Sequence, residues 1–249
     1  TMARRDELIS DEGLRVDGRR AHELRRITCK IGISSDADGS AFFQQGHTQV
    51  IATVYGPREV VRRSTAEHDR AVINCEFTMS TFSTGERKSR PKGDRQSKEI
   101  SLLIKQTFEA VVLREHAPRS QIDIFVQVLQ ADGGTKCAAI NAATLAMIDA
   151  GVPMRDFVCA CSAGYIDGQA ILDLNYVEEA SGGVDLPVAL MPKTEKVVMV
   201  QMDSKLPLTD FSKVMELAVE GCKSLHKVLS EQVSLHNRRL ISSRGVFAS

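Results

Sequence analysis

A strand that runs into a helix through Asp132-Gly133-Gly134-Thr135 constrains the fold of this chain more than any other feature. Before the turn, branched aliphatic residues occupy every second position from 122 to 128, which is the period-two pattern of a strand. After it, the chain is rich in Ala and other helix formers up to Gly151, and Pro153 follows. The sequence therefore predicts a strand, a tight glycine turn and a helix in immediate succession.

This turn is suited to holding an anion. Glycines let backbone N–H groups approach a ligand closely, and a helix N-terminus carries positive partial charge. The candidate phosphate-binding residues of the turn are therefore Gly133, Gly134, Thr135 and, as a cationic partner, Lys136. The alternative is an ordinary connection in which glycine serves only the turn, and the GxxxxGK[ST] pattern of a P-loop is not present.

Several short motifs extend the pattern along the chain. They are Arg15-Val16-Asp17-Gly18-Arg19-Arg20, Val54-Tyr55-Gly56-Pro57, Phe82-Ser83-Thr84-Gly85-Glu86-Arg87, Pro118-Arg119-Ser120-Gln121-Ile122-Asp123, Leu129-Gln130-Ala131-Asp132-Gly133-Gly134-Thr135 and Asp149-Ala150-Gly151-Val152-Pro153-Met154. Together, over about residues 10 to 240, they resemble the RNase PH family of phosphorolytic exoribonucleases. Within that family the chain is most similar to core subunits of the eukaryotic RNA exosome.

The resemblance implies an α/β (α+β) protein with the RNase PH fold, in which two related halves each combine a β-sheet with helices. Residue patterns agree, because strands followed by a helix are predicted in each half. We predict an N-terminal extension over residues 1–20, a first half over 21–151, a second half over 152–240 and a C-terminal tail over 241–249. The arginines between residues 15 and 20 of this extension either stay solvated or bind a ligand or another part of a protein.

The second half contains a group of acidic residues, Asp173, Glu178, Glu179 and Asp185. A turn at residues 181–183 can fold Glu179 back towards Asp185. Paired carboxylates can hold Mg²⁺ or act as general acid, although hairpin surface charge is the alternative. The resemblance implies a catalytic pair of aspartates six residues apart, which places the candidate catalytic residues at Asp185 and Glu179.

Three positions depart from the family pattern. Glu179 stands in place of Asp, Lys136 in place of Arg, and Gln96, three residues before Glu99, in place of the phosphate-binding Arg. Gln96 cannot make charge-assisted bonds, which contribute roughly 1.5–3 kcal/mol each, and Lys136 lacks the planar fork of Arg. The extra methylene of Glu179 matters because a displacement of about 1 Å can cost on the order of a hundredfold in rate. We therefore expect little or no phosphorolysis, with weak residual activity left open.

Six basic residues in two polar segments are the candidate RNA contacts: Arg62, Arg63, Arg87, Lys88, Arg90 and Arg95. Pro91 and Gly93 disfavour helix, and a flexible basic loop can follow a phosphodiester backbone, although such loops are often only solvated. The resemblance implies an RNA-binding role for Arg95. Because the chain has 32 basic and 32 acidic side chains, any attraction for RNA must be local. Few aromatic residues stand near these cations, so we expect salt-sensitive, sequence-independent contact with phosphates.

Three functions remain open at this stage. The first is a core ring subunit of the eukaryotic exosome that binds and channels single-stranded RNA for 3′-to-5′ processing and decay of rRNA and mRNA. It would need no cofactor and would have as partners other RNase PH-like subunits in a six-membered ring, cap subunits and an associated nuclease. The second is an active exoribonuclease that uses inorganic phosphate and Mg²⁺ and releases nucleoside diphosphates. The third is a small-molecule phosphotransferase.

The remaining expectations concern location and metals. The chain has no apolar run near the ~20 residues that span a bilayer and no signal-peptide pattern. Its six cysteines stand mostly in apolar contexts, which favours reduced thiols inside the cell. We expect the nucleus and nucleolus, and also the cytoplasm. Cys159-Ala160-Cys161 lacks the spacing of a zinc site, so no metal ligands are predicted.

Overall fold

The computed structural model describes residues 8–10, 12–60, 67–87 and 94–243, and the first half of these residues is built on one five-stranded sheet. The strand order is β1-β2-β3-β5-β4, with β4 and β5 parallel and the other neighbours antiparallel. The elements are β1 (Ile27–Ile31), β2 (Gly39–Gln45), β3 (Thr48–Glu59), β4 (Val72–Met79), α1 (Arg95–Val111), β5 (Ser120–Gln130) and α2 (Thr135–Asp149). Helix α1 makes the crossover that a parallel strand pair requires.

A four-stranded antiparallel sheet organises the second half, in the order β7-β6-β8-β9. Its elements are β6 (Cys159–Ile166), β7 (Gln169–Leu172), α3 (Tyr176–Ala180), β8 (Val184–Met191), β9 (Lys196–Val200) and α4 (Leu208–Ser243). Helix α4 packs its apolar stripe on β6, β7 and β8. The predicted mixed α/β class, with two sheets and their helices, is confirmed.

Helix α2 lies between the two halves and contacts β2 and β3 on one side and β6 on the other. Every residue from 137 to 147 is buried, as expected of a helix that is apolar all round. Small side chains permit close approach: a Cβ on Gly39 of β2 would lie 2.2 Å from the carbonyl oxygen of Ala146. The buried amide of Asn141 bonds both the N–H and the carbonyl of Ala160, at 2.8 Å each, so no polar group of this side chain is left unpaired.

The N-terminal segment packs against the second half. Leu8 is buried among Ile166, Ile171 and Leu174, and the guanidinium of Arg15 is fully buried. Arg15 and Arg19 of this segment therefore make internal contacts, and the alternative of a wholly solvated terminus is wrong for the described residues 8–10 and 12–20.

The structure differs from the sequence-based expectation at two other places. Helix α3 was not predicted, because five residues are too few for a periodic pattern. Helix α4 continues to Ser243, into the stretch expected to be a C-terminal tail from residue 241, because no proline or glycine follows Gly221 within it. Among the described residues, no helix is both long and apolar enough to cross a membrane.

Candidate functional site

A pocket opens between the two halves, at the end of β5 and the start of α2. Residues predicted from the sequence meet there: Gln96, Gly133, Gly134, Thr135, Lys136, Glu179 and Asp185. The turn comes from the first half and the carboxylates from the second, so both sheets are needed to form it. The fold brings these residues, which span some ninety positions of the sequence, to one concave surface, and binding sites usually lie in such concave surfaces.

The glycine turn has a backbone that other residues adopt only with strain. Gly133 and Gly134 have φ of +76° and +62°, in the left-handed region that glycine enters freely. A Cβ on Gly133 would also lie 2.6 Å from the carbonyl oxygen of Leu174. Gly134 is the N-cap of α2 and offers no side-chain cap, so the first amides of the helix depend on some other acceptor. This geometry suits an anion.

Arg25 fixes the turn through hydrogen bonds to its carbonyl oxygens. Its guanidinium donates to the carbonyl oxygens of Asp132 and Gly133 and makes two bonds to Oδ1 of Asp173, at 3.1 and 2.8 Å. The hydroxyl of Thr48 also donates to the Gly133 carbonyl, at 2.8 Å. Burial alone would raise the pKa of Asp173, but the charge and hydrogen bonds of Arg25 outweigh it and lower that pKa. Sequence reasoning missed Arg25, since its partners lie more than a hundred residues away.

Two of the four acidic residues are structural. Asp173 is bound to Arg25, and Glu178 makes a bidentate ion pair with Arg15, with both side chains inaccessible to solvent. Glu178 also accepts the N–H of Asn175 at 2.9 Å in a capping box that begins α3. The common cluster suggested by the sequence is therefore divided, and only Glu179 and Asp185 line the pocket.

Asp185 is a largely buried carboxyl group with one oxygen that the described residues leave unpaired. Its Oδ1 is buried and has no hydrogen-bond partner among the described residues. Burial, then the negative charge of Glu179, raises its pKa to about 7, and Lys136 offsets part of this. Burial likewise raises the pKa of Glu179, although the charge of Lys136 opposes the rise. Asp185 can thus hold or release a proton near neutral pH, as a general acid must.

Lys136 is held at the edge of the pocket by a residue that the sequence did not point to. Its Nζ donates to Oε1 of Gln201 at 2.9 Å, and the amide of Gln201 lies 3.4 Å from carboxylate oxygens of Glu99 and Asp203. Gln201 follows β9, in a stretch without a recognisable motif. Gln96 is exposed in the first turn of α1 and lines the same pocket.

The RNA-binding candidates are only partly described. Arg87 and Arg95 are exposed, and each lies within three residues of a pocket-lining residue, Thr84 and Gln96 respectively. The other four candidates, Arg62, Arg63, Lys88 and Arg90, lie outside the described residues. The loop at Ser83 is fixed to the pocket, because its carbonyl accepts the N–H of Ala131 at 2.8 Å.

Within the described ranges, no three His, Cys, Asp or Glu side chains are grouped so as to hold a metal ion by themselves. Mg²⁺ commonly takes one or two carboxylates from a protein and completes its shell with water and substrate phosphates. Asp185, with its unpartnered buried oxygen, and Glu179 fit that requirement.

Comparison with known proteins adds an independent line of evidence. Two family models match the chain: 3′ exoribonuclease family, domain 1, over residues 23–153, and domain 2, over residues 156–221. Exosome complex component RRP41 of Homo sapiens is 54% identical over 233 residues, 93% of this chain and 95% of that protein. The RRP41 homolog of Arabidopsis thaliana is 53% identical over 94% of this chain and 97% of its own. Rice (Oryza sativa) Rrp46 superposes with a TM-score of 0.79 at 24% identity, covering 88% of this chain and 100% of that structure.

Proposed function

The chain belongs to the 3′ exoribonuclease (RNase PH) family, and from this premise we propose that it is a core ring subunit of an RNA exosome. In this role it binds and channels single-stranded RNA for 3′-to-5′ processing and decay of rRNA and mRNA, with little or no phosphorolysis of its own. The observation that carries the proposal is the identity of more than half to exosome components over nearly the whole length of both chains.

The position of the basic residues supports a role in guiding RNA. Arg87 and Arg95 stand exposed on the two segments that border the pocket, Arg95 directly before Gln96. These two cations are therefore available to an RNA strand that reaches the pocket. Arginine contacts to phosphate attract RNA of any sequence and weaken with salt, because binding releases counterions.

The pocket itself supports weak catalysis. Gln96 offers no positive charge, and the Lys136 ammonium already donates to Gln201. A phosphate bound at the turn would therefore be held by backbone amides and one shared cation, without a bidentate guanidinium. Glu179 brings a longer carboxylate to the site than an aspartate would.

Asp185 favours a second candidate, a phosphate-dependent 3′-to-5′ exoribonuclease. In that reaction phosphate, held by the turn amides and Lys136, attacks the 3′-terminal phosphodiester. The bond to the 3′ oxygen of the preceding nucleotide breaks, and Asp185 in its protonated form gives that oxygen a proton. The products are a nucleoside diphosphate and an RNA one nucleotide shorter. Alternatively, Asp185 and Glu179 in their ionised forms would hold Mg²⁺, which would supply positive charge near the phosphate groups.

Partners and location are part of the proposal. We propose a six-membered ring of RNase PH-like subunits with cap subunits and an associated nuclease, in the nucleus and nucleolus and also in the cytoplasm. Exposed apolar side chains on and after the edge strand β9, at Val197, Val200 and Met202, support burial against a neighbouring subunit.

The test is an RNA degradation assay on the chain alone and on the reconstituted ring, with and without inorganic phosphate and Mg²⁺. Uniformly labelled single-stranded RNA would report any released nucleoside diphosphate. We expect salt-sensitive RNA binding without measurable diphosphate release. Phosphate-dependent release that Asp185→Ala abolishes would establish the enzyme instead, and RNA affinity independent of salt would overturn the role of the basic residues.

A further inference from the structure

Ser162 is a buried side chain whose hydroxyl has no partner. It lies on β6, is 2% exposed, and its Oγ makes no hydrogen bond within the described residues. Buried hydroxyl groups are nearly always paired, because an unpaired one has given up its bonds to water without replacement. A second atom in the same state, Oδ1 of Asp185, lines the same pocket.

Both orphan atoms are on one face of the second sheet. Ser162 is opposite Pro187 and Asp185 is opposite Gly164 in the antiparallel pairing of β6 with β8. Since paired residues share a face and alternate residues return to it, both side chains project towards the pocket. The turn meets this face directly: a Cβ built on Gly134 would lie 3.4 Å from the Ser162 hydroxyl oxygen.

The charges around this hydroxyl favour an acceptor that is anionic. The Asp173 carboxylate, whose Oδ1 would lie 3.9 Å from the same Cβ on Gly134, is bound by Arg25, whose Nη2 would lie 3.1 Å from that Cβ. Lys136 adds a cation to the same pocket. A serine hydroxyl rotates freely and can donate to whichever oxygen enters the pocket.

We propose that Ser162 is a further ligand-binding residue of the pocket, donating its hydroxyl proton to a tetrahedral phosphate oxyanion seated on the Gly133–Lys136 turn. The proposal rests on the anion-binding role of the turn under the proposed function. The oxyanion is inorganic phosphate or a phosphate group of RNA, which present the same oxygens. Ser162 binds and orients this group and takes no part in proton transfer.

The experiment is a titration of the purified chain with inorganic phosphate, followed by NMR shifts of the Gly133, Gly134 and Thr135 amides. Ser162→Ala removes only the hydroxyl, and we expect it to weaken phosphate binding about tenfold. Without phosphate, its thermal unfolding midpoint should be unchanged or higher, because an unpaired buried hydroxyl is lost. This opposite effect on affinity and stability is one that a merely structural serine would not produce.

Ser40→Ala is the matched control. Ser40 lies on strand β2, outside the pocket, and is equally buried. Its hydroxyl oxygen, however, accepts the N–H of Ser34 at 2.8 Å. That variant should lower the unfolding midpoint and leave phosphate affinity unchanged. Ser162→Cys, which is nearly isosteric and a weak donor, repeats the test should the alanine variant fail to fold.

The outcomes separate this inference from the proposed function. If phosphate shifts the turn amides equally in wild type and in both Ser162 variants, the Ser162 contact is wrong while the anion turn stands. If phosphate does not shift them even in wild type, the anion turn and the contact are both wrong. A short RNA with a 3′-phosphate, compared with the same RNA with a 3′-hydroxyl, tests whether the bound oxyanion comes from RNA. An RNA affinity that is higher with the 3′-phosphate, and that depends on Ser162, supports an RNA phosphate.

Discussion

Two pairs of carboxylates from one stretch of sequence have opposite environments. Asp173 and Glu178 are enclosed by arginines, whereas Glu179 and Asp185 face the pocket with Lys136 as their nearest cation. The pKa of Asp173 is lowered and that of Asp185 is raised to about 7, although burial acts in the same direction on both.

The difference lies in the partner and not in the carboxylate. Arg15 and Arg25 come from the N-terminal segment, which crosses to the second half and neutralises one pair. Within the described residues no arginine forms an ion pair with Glu179 or Asp185, although the charge of Arg25 also lowers the pKa of Glu179. The charge of this pair therefore stays costly and available to a ligand. The N-terminal segment therefore decides which carboxylates are structural and which can take part in chemistry.

The largest expected effect comes from breaking the buried ion pair between Arg15 and Glu178. Glu178→Gln keeps the capping box of α3 but leaves the fully buried Arg15 guanidinium without its counter-charge. Removing one member of a buried ion pair costs about 3–5 kcal/mol. We expect that loss in the free energy of unfolding, measured by urea denaturation of the purified chain.

Glu195→Gln is the control for this variant, because Glu195 pairs with Lys223 on the surface, both side chains being largely exposed. Exposed pairs contribute little, so no measurable change is expected. Equal effects of the two variants would mean that the N-terminal segment does not enclose Glu178 in solution.

A second test addresses the contact between the turn and the stretch that contains the enclosed carboxylates. Gly133→Ala places a methyl against the backbone of Leu174 and Asn175 at a φ of +76°. Left-handed strain of about 1–2 kcal/mol and a backbone clash of about 1–3 kcal/mol predict a total loss of roughly 2–5 kcal/mol. Gly151→Ala shares the left-handed backbone, at +68°, but has nothing within 4 Å.

Gly151→Ala should therefore lose only the strain, about 1–2 kcal/mol. Thermal unfolding of both variants measures the difference. If Gly133→Ala were no less stable than Gly151→Ala, the turn would not be packed against the Leu174–Asn175 backbone. Phosphate titration of Gly133→Ala would then show whether the conformation of the turn matters for binding.

Local signals in the sequence predicted the frame of this site. Alternating aliphatic residues marked β5, two glycines marked the turn, and Gly151 with Pro153 marked the end of α2 within two residues. Those features depend on near neighbours, which a linear pattern records. Residues of the turn could therefore be named from local pattern, whereas Glu179 and Asp185 were named as the candidate catalytic pair because the family resemblance implies two acidic residues six apart.

What could not be predicted depends on distant partners. Local pattern does not distinguish Glu178 from its neighbour Glu179, which only the family resemblance singled out, and the Arg15 that binds Glu178 is 163 residues away. Ser162 and Gln201 likewise stand in unremarkable stretches and acquire their positions only when β6 and the segment after β9 meet the turn. Pairing across the fold, and not residue type, assigns these roles.

A third prediction adds a guanidinium to the pocket, which has Lys136 as its cation. Gln96→Arg places a guanidinium on an exposed first-turn position of α1 at the pocket wall. A charge-assisted bond contributes about 1.5–3 kcal/mol, so phosphate affinity should rise ten- to a hundredfold. Isothermal titration with inorganic phosphate measures this affinity. Gln201→Arg is unsuitable as a control, because Gln201 accepts a hydrogen bond from Lys136. Gln121→Arg, far along β5 from the turn, should leave affinity unchanged.

The smallest expected effect sharpens the difference between the two aspartates. Because the pKa of Asp185 is about 7, raising the pH from 6 to 8 places a new negative charge in the pocket. Sulfate stays a dianion over this range, so its affinity reports the protein alone. We expect sulfate binding to weaken roughly threefold to tenfold, since Lys136 offsets part of the repulsion. Isothermal titration of wild type and Asp185→Asn at each pH measures it.

Asp185→Asn should bind sulfate equally well at pH 6 and pH 8, while the Glu195→Gln control keeps the wild-type pH dependence of sulfate binding.

The pH dependence of stability is a second measure of the protonation of Asp185. A pKa raised above its ordinary 3.8 stabilises the folded chain most below pH 4, and this contribution is lost as the pH rises through about 7. Wild type should therefore fall in stability relative to Asp185→Asn across that window. A flat difference would mean that Asp185 is as well paired as Asp173, and the contrast between the two carboxylate pairs would be gone.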